Sequence, residues 1–280
     1  MEFKNPQIPE GINVSDEHPL KGLTQLVLSL VVVVGLIMVV LHYSVQYLVH
    51  YIPFEFEVEM SDSIDYLQID TEQLSSQELK KQEVLQVLAD ELSLLMELPD
   101  EMVIKVHYSD EQVVNAFATL GGHIFMYQGL IDEINSEQAL SMVMAHEIAH
   151  IKLRHPVSSL GEGITLLTLG AVITGATGSN AGESLINSST NLGLMKFSRD
   201  QEQDSDSLAA GVIQAKYGNI LGAKDLFQTF QELDGPGSDV HRLFQSHPNS
   251  DKRWQDLFDK AEVSAWSVDG ELTPVPDSLQ

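Results

Sequence analysis

Apolar and polar positions along this chain follow three patterns, and each predicts a different kind of element. The first is an unbroken run. From Leu26 to Leu41 the sequence reads LVLSLVVVVGLIMVVL, with Ser29 its only polar side chain. Between the helix-compatible limits Leu23 and Ile52, such a segment makes a helix of roughly 45 Å at about 1.5 Å per residue, the depth of a bilayer with its headgroup layers. Tyr43, Tyr47 and Tyr51 recur every four residues near its end, one stripe of amphipathic rings where a membrane interface belongs. Pro53 then stops the helix. A cleaved signal peptide has an apolar core of about 7–15 residues and a small-residue A-x-A site; this run is longer and no A-x-A follows it. A buried core helix would carry a polar second face, and none is marked. Residues 23–52 are therefore expected to be a transmembrane anchor, with 1–22 an N-terminal tail.

The second pattern is helical spacing. Leu74, Leu79, Val84, Leu88, Leu92 and Leu95 place a long amphipathic helix between Thr71 and Leu98, and helical spacing returns from Asn135 for most of the chain. The third is short, strand-like alternation in Glu101–Tyr108, Gln112–Thr119 and Gly122–Gly129. Helix, small sheet, then helices is an α+β order. Gly and Asn breaks fall near 175–182 and 234–238, and no internal repeat is present. Residues 53–70 are acidic and weakly patterned, which predicts a stalk between anchor and body. The body spans 71–262. After it, 263–280 contains the polar, proline-bearing SVDGELTPVPDSLQ and is expected to be a flexible tail. Ile164–Ala176 (ITLLTLGAVITGA) is apolar but too short for an unaided span. A buried helix is its first reading, and a segment lying against the membrane or over a cleft is its second.

Composition narrows the function classes. The chain has 41 acidic and 15 basic residues, a formal charge of −26. Such a surface repels nucleic-acid phosphates and anionic headgroups, so nucleic acid is not an expected partner. No cysteine is present, which excludes disulfides, thiol nucleophiles and thiolate-bound zinc. Lys4 and Lys21 precede the anchor, while the first basic residue after it is Lys80. The positive-inside tendency then puts the N-terminus in the cytoplasm and the body outside.

Candidate chemistry sits in MAHEIAHIKLRH, Met144 to His155. His146-Glu147-Ile148-Ala149-His150 is an H-E-x-x-H. On a helix its two imidazoles share one face a turn apart and can converge on one ion, with Glu147 beside them to reach a water on that ion. Asn135 or Ser136 can cap this helix, and Ala139, Leu140, Met142, Val143, Ile148 and Ile151 give it an apolar face. Catalytic zinc takes three protein ligands and keeps one position open. The best third candidate lies in KFSRDQEQDSDSLAAG, where Glu202 and Asp206 are four apart behind a capping Ser198. Taken alone, those acids read as a solvated helix surface.

Together, H-E-x-x-H, then S-R-x-x-E-x-x-x-D, then Ser246-His247-Pro248 with Arg253 six residues after the histidine, resemble the gluzincin peptidases. That family includes the HtpX, CAAX prenyl protease and BepA-type proteins. NAFATLGGHIFMYQGLI, from Asn115, is similar to the family's segment before the active-site helix. Ser205 and Asn249 depart from the common pattern, an alanine and a second proline, without touching the expected ligands. The resemblance implies a mostly helical, zincin-like domain with a small sheet that binds one zinc ion per chain through His146, His150 and Glu202. It implies Glu147 as general base, Asp206 orienting the ligands and pairing with Arg253, and His247 donating to the oxyanion. Asn115, Ala116, His123 and Phe125 are the candidate substrate contacts, and His123–Tyr127 could add a substrate strand if it is a sheet edge; otherwise it is an ordinary internal strand. The implied protein is a zinc endopeptidase in the bacterial inner membrane, acting on unfolded polypeptides in the periplasm. The rival readings are a latched, non-cleaving domain that binds clients, and a domain whose ion is purely structural. His241 could occlude the metal or face solvent; His155, at i+5 from His150, is expected on another helix face, and His107 has no evident partner.

Overall fold

The computed structural model describes residues 19–62, 74–161, 163, 196–233, 247 and 251–280. Two compact units divide the chain between Ser44 and Val45. The first is formed by helix α1, which runs Pro19–Leu48 and so extends a few residues past that boundary. Most of its described apolar side chains are exposed, with Val34 and Met38 half-buried. Leu20–Leu41 has a mean hydropathy of 2.7 and, among the described residues, is the one helix long and apolar enough to cross a membrane. Its polar side chains are quieted locally: Thr24 Oγ1 donates to the Leu20 carbonyl and Ser29 Oγ to that of Leu26, both at 2.8 Å. Back-bonding of this kind keeps a hydroxyl from needing water.

In the second unit, a single 3-10 turn at Val49–Tyr51 leads through Pro53 into helix α2, Phe54–Asp62. The stalk expected over 53–70 is thus contradicted in its first half. Phe54, Glu57 and Ser61 are buried, and α2 packs on the Leu120–Gly122 turn. Acidic composition hid this helix, because one of its acids, Glu57, is buried against Arg154 Nε at 2.5 Å. Gly121 has φ +72°, and a Cβ there would meet the Ser61 side chain, so the turn can touch α2 only with glycine at that position.

Helix α3 (Ser76–Leu95) opens with a capping box in which Ser75 and Glu78 satisfy each other's backbone N–H groups. Three short strands follow: β1 (Lys105–Ser109), β2 (Ala116–Ala118) and β3 (His123–Tyr127). Sheet order is β1-β3-β2, with β1 parallel and β2 antiparallel to β3; Lys105 faces His123 and Ala116 faces Met126. Ile124 and Met126 point into the core with Leu85 and Leu92 of α3. A short helix α4 (Gln128–Glu133) leads to α5 (Glu137–Lys152), capped by Ser136, whose side chain accepts from the Ala139 N–H. Every residue of α5 from Gln138 to Ile151 is buried, as a helix at the centre of a domain must be. Helix α6 (Arg199–Tyr217) packs along it between a Ser198–Gln201 capping box and a left-handed Gly218. Helices α7 (Leu221–Leu233) and α8 (Asp251–Val263) follow. This is an α+β, mostly helical fold with one N-terminal apolar helix.

The flexible tail expected at 263–280 is also corrected. Thr273 pairs with the start of α5, its carbonyl accepting from Glu137 N–H and its own N–H donating to Gln138 Oε1 at 2.9 Å. Val275 and Leu279 are buried, and Lys81 Nζ donates to the Leu279 carbonyl. Its prolines, read as a sign of fraying, fit an extended strap whose partners lie far away in sequence. The apolar stretch 164–176 and His241 lie outside the described residues.

Candidate metal centre

Three elements converge on one buried point. Helix α5 brings His146, Glu147 and His150, because positions four apart share a face. Helix α6 brings Glu202 and Asp206 by the same rule. His247 stands before α8, which carries Arg253. Nε2 of His146 and Nε2 of His150 are 3.0 Å apart. Glu202 approaches each of them at 3.5 Å, one oxygen per imidazole. All three side chains are buried, His150 completely. His247 joins them, its Nδ1 2.9 Å from Glu202 Oε1 and 3.3 Å from His146 Nε2. One atom from each of these four residues lies within 4.8 Å of the others, a grouping able to hold a metal ion.

The partners behind these atoms fix how the imidazoles face. His146 Nδ1 lies 2.9 Å from Asp206 Oδ1, which leaves Nε2 facing inward. Arg253 grips Asp206 in two bonds of 2.7 Å and reaches Glu202 Oε2 at 2.8 Å. Its guanidinium fork suits two carboxylate oxygens at once. Burial works against charge on Asp206, but Arg253 and His146 hold its carboxyl below the usual range. Glu202 is likewise buried yet held well below the usual range by His247 and by hydrogen bonds from the three histidines. Burial lowers His146, and the Asp206 and Glu202 carboxylates outweigh it, lifting the imidazole to about 10. His150, more deeply buried and beside two other imidazoles, is pushed well below its ordinary value. A site that keeps two carboxylates ionised in so dry a place has a standing demand for positive charge. Two imidazole nitrogens and a carboxylate oxygen are the donors zinc favours. Glu147 Oε2 is buried and has no partner among the described residues. It sits beside a cleft lined by the apolar side chains of Met142, Val143, Leu226, Phe227 and Phe230.

The expected set is therefore brought together. His247, expected as an oxyanion donor, also stands within reach of the ligand atoms themselves, with its Nε2 3.5 Å from Glu147 Oε1. Of the two readings of His123–Tyr127, the structure shows the internal strand: it lies between β1 and β2, so His123 and Phe125 have no free backbone edge to offer. Strand length and alternation carry no record of which neighbours a strand will have. Asn115 and Ala116 lie at the start of β2, an outer strand that packs against α5. His123 instead pairs with His107 across the sheet, Nδ1 to Nε2 at 2.7 Å, and burial lowers both imidazoles to about 4.

Two contacts escape sequence reasoning. His155 is buried with its Nδ1 2.9 Å from His150 Nδ1. Its i+5 offset would send it elsewhere only if the helix continued; α5 ends at Lys152, and Arg154 takes φ +62°. Phe197 stacks on His150 with ring centroids 3.9 Å apart. The one signal for it was a large apolar residue directly before the Ser198 cap, where a staple commonly sits.

Comparison with known proteins gives consistent relatives. The sequence model of the family described as Peptidase family M48 matches residues 76–261. Metalloprotease YcaL of Escherichia coli is 27% identical over 157 residues, covering 52% of this chain and 58% of that protein. The beta-barrel assembly-enhancing protease of Yersinia pestis is 26% identical over 164 residues, 53% of this chain and 32% of its own length. The mitochondrial metalloendopeptidase OMA1 of Schizosaccharomyces pombe is 26% identical over 150 residues, with shares of 53% and 44%. The chain thus spans from about a third to under three-fifths of the relatives it matches.

Proposed function

The chain belongs to peptidase family M48, and from that premise we propose that it is a membrane-anchored, zinc-dependent endopeptidase cutting unfolded or misfolded polypeptides. In this reading His146, His150 and Glu202 hold one zinc ion per chain. Zinc bound there supplies a Lewis acid and draws the pKa of a coordinated water toward about 7. Glu147, near that point but outside the ligand set, takes the proton of the attacking water and passes it to the departing amine. Asp206 keeps His146 in the tautomer that faces the ion, and Arg253 keeps Asp206 and Glu202 ionised. His247 donates to the oxygen on which negative charge develops. The apolar cleft beside Glu147 would take a substrate side chain, and β2 is the strand along which an extended backbone could lie. Residues Leu23–Ile52 anchor the chain in a bacterial inner membrane, with the catalytic unit in the periplasm.

The observation that carries this reading is the meeting of His146 Nε2, His150 Nε2 and the Glu202 carboxylate at 3.0 to 3.5 Å. Full-length protein in detergent, incubated with an unfolded protein, should cut it. A zinc chelator and Glu147→Gln should each abolish the cutting, the latter by at least about a hundredfold. Cleavage surviving both treatments would refute the assignment.

A second reading is supported by the position of His247. Within 3.3 Å of His146 Nε2, it could take the fourth corner and hold the site closed, leaving a domain that binds clients without cutting them. Client binding unaffected by Glu147→Gln, with no cleavage by either form, would favour it.

A further inference from the structure

His150 can offer Nε2 to a cation only if its proton sits on Nδ1, and a buried N–H needs an acceptor. His146 meets that need with Asp206, a carboxylate held by Arg253. Among the described residues, no carboxylate stands behind His150. Its ring is completely buried, stacked on Phe197, and its Nδ1 faces Nδ1 of His155 at 2.9 Å. The two rings meet edge to face, at 69° with centroids 5.0 Å apart.

We propose that His155 is the positioning residue for His150: its bare Nδ1 accepts the His150 Nδ1–H and so aims Nε2 at the metal. The inference rests on the reading that His150 is a ligand. For His155 to accept at Nδ1, its own proton must be on Nε2, which fixes its tautomer as well. Ser205, fully buried on α6, flanks the same nitrogen at 3.3 Å and limits how far the ring can slide. His155 is in place because the chain leaves α5 at Lys152 and turns through Arg154, which Glu57 holds by an ion pair at 2.5 Å.

A neutral acceptor is what the charge balance of the site allows. Glu202 and Asp206 already share Arg253. A third carboxylate behind His150 would bury another anion where Arg253 is already shared by two. An imidazole gives the direction of a hydrogen bond without the charge. The two histidine ligands are therefore backed unequally, one by an anion and one by a neutral ring.

The test uses full-length, detergent-solubilised protein, stripped of metal and titrated with zinc against a chromophoric chelator. Its absorption is also recorded with cobalt(II) in place of zinc. His155→Phe keeps the bulk and removes the acceptor, and His155→Gln keeps an acceptor oxygen. Zinc affinity should fall about 10- to 100-fold in His155→Phe, with a shifted cobalt spectrum, and return most of the way in His155→Gln. Nitrogen-15 NMR of the zinc-loaded wild type should find the proton on Nε2 of His155 and on Nδ1 of His150, a readout that does not depend on either variant folding. Wild-type affinity in His155→Phe, equal losses in both variants, or a His155 protonated on Nδ1 would each overturn the proposal. His150→Ala serves as the separate control: if it binds zinc as the wild type does, the ligand reading itself has failed.

Discussion

Asp206 shows how a single residue can be costly to bury and costlier to change. It takes two hydrogen bonds from Arg253 and lies 2.9 Å from His146 Nδ1 while almost fully enclosed. Removing one partner of such a pair leaves the other charge buried, at about 3–5 kcal/mol. Asp206→Ala should therefore lower the unfolding free energy by that order, measured by denaturant titration of metal-free protein. The pH dependence follows from the direction of its shift. Asp206 titrates below its ordinary 3.8 when folded, so its contribution is complete above the unfolded value and is lost as pH falls through the folded one. Metal-free wild type should lose stability as pH drops below about 4, and Asp206→Asn should lose less over the same interval. The central residues could be read from sequence because helical spacing is a local rule: His146 and His150, then Glu202 and Asp206, each lie four apart. His155 could not, since its position depends on where α5 stops.

Among elements, α2 is short yet carries a buried ion pair. Its Glu57 holds Arg154 in the turn after α5, while Arg154 also donates to the Ile52 carbonyl at 2.9 Å and lies over the Phe54 ring. Arg154 has a left-handed backbone, a conformation that persists only where its surroundings impose it. Glu57→Ala should destabilise the catalytic unit by about 3–5 kcal/mol, read as a lowered thermal or denaturant midpoint. It should also weaken zinc binding, because His155 follows directly after Arg154. An unchanged midpoint would mean that α2 is a passive connector. Helices and strands were legible from apolar spacing, since α3, α5, α6, β2 and β3 fall inside their predicted spans and β1 overruns its own by Ser109. What spacing could not give was pairing. The central place of β3, the docking of α2 and the strap at 271–279 all depend on contacts between residues far apart in sequence, such as Thr273 with Gln138.

At the scale of the whole molecule, net charge and one apolar helix set its behaviour. Leu20–Leu41 has a mean hydropathy of 2.7 and is uncovered among the described residues, which supports the proposed membrane anchor. The chain should stay with membranes through high-salt and alkaline washes and leave them only with detergent. Release by salt alone would mean an electrostatic attachment, which a charge of −26 already makes unfavourable on anionic lipid. The centre on which the proposed function depends is built from two helices whose donors would hold one cation. Its most direct test is the zinc content per chain of full-length wild type, Glu147→Gln, His150→Ala and Glu202→Gln, purified identically. One zinc in the first two and almost none in the last two is the expected result. Full zinc in His150→Ala or Glu202→Gln, or none in the zinc-exposed wild type, would contradict it.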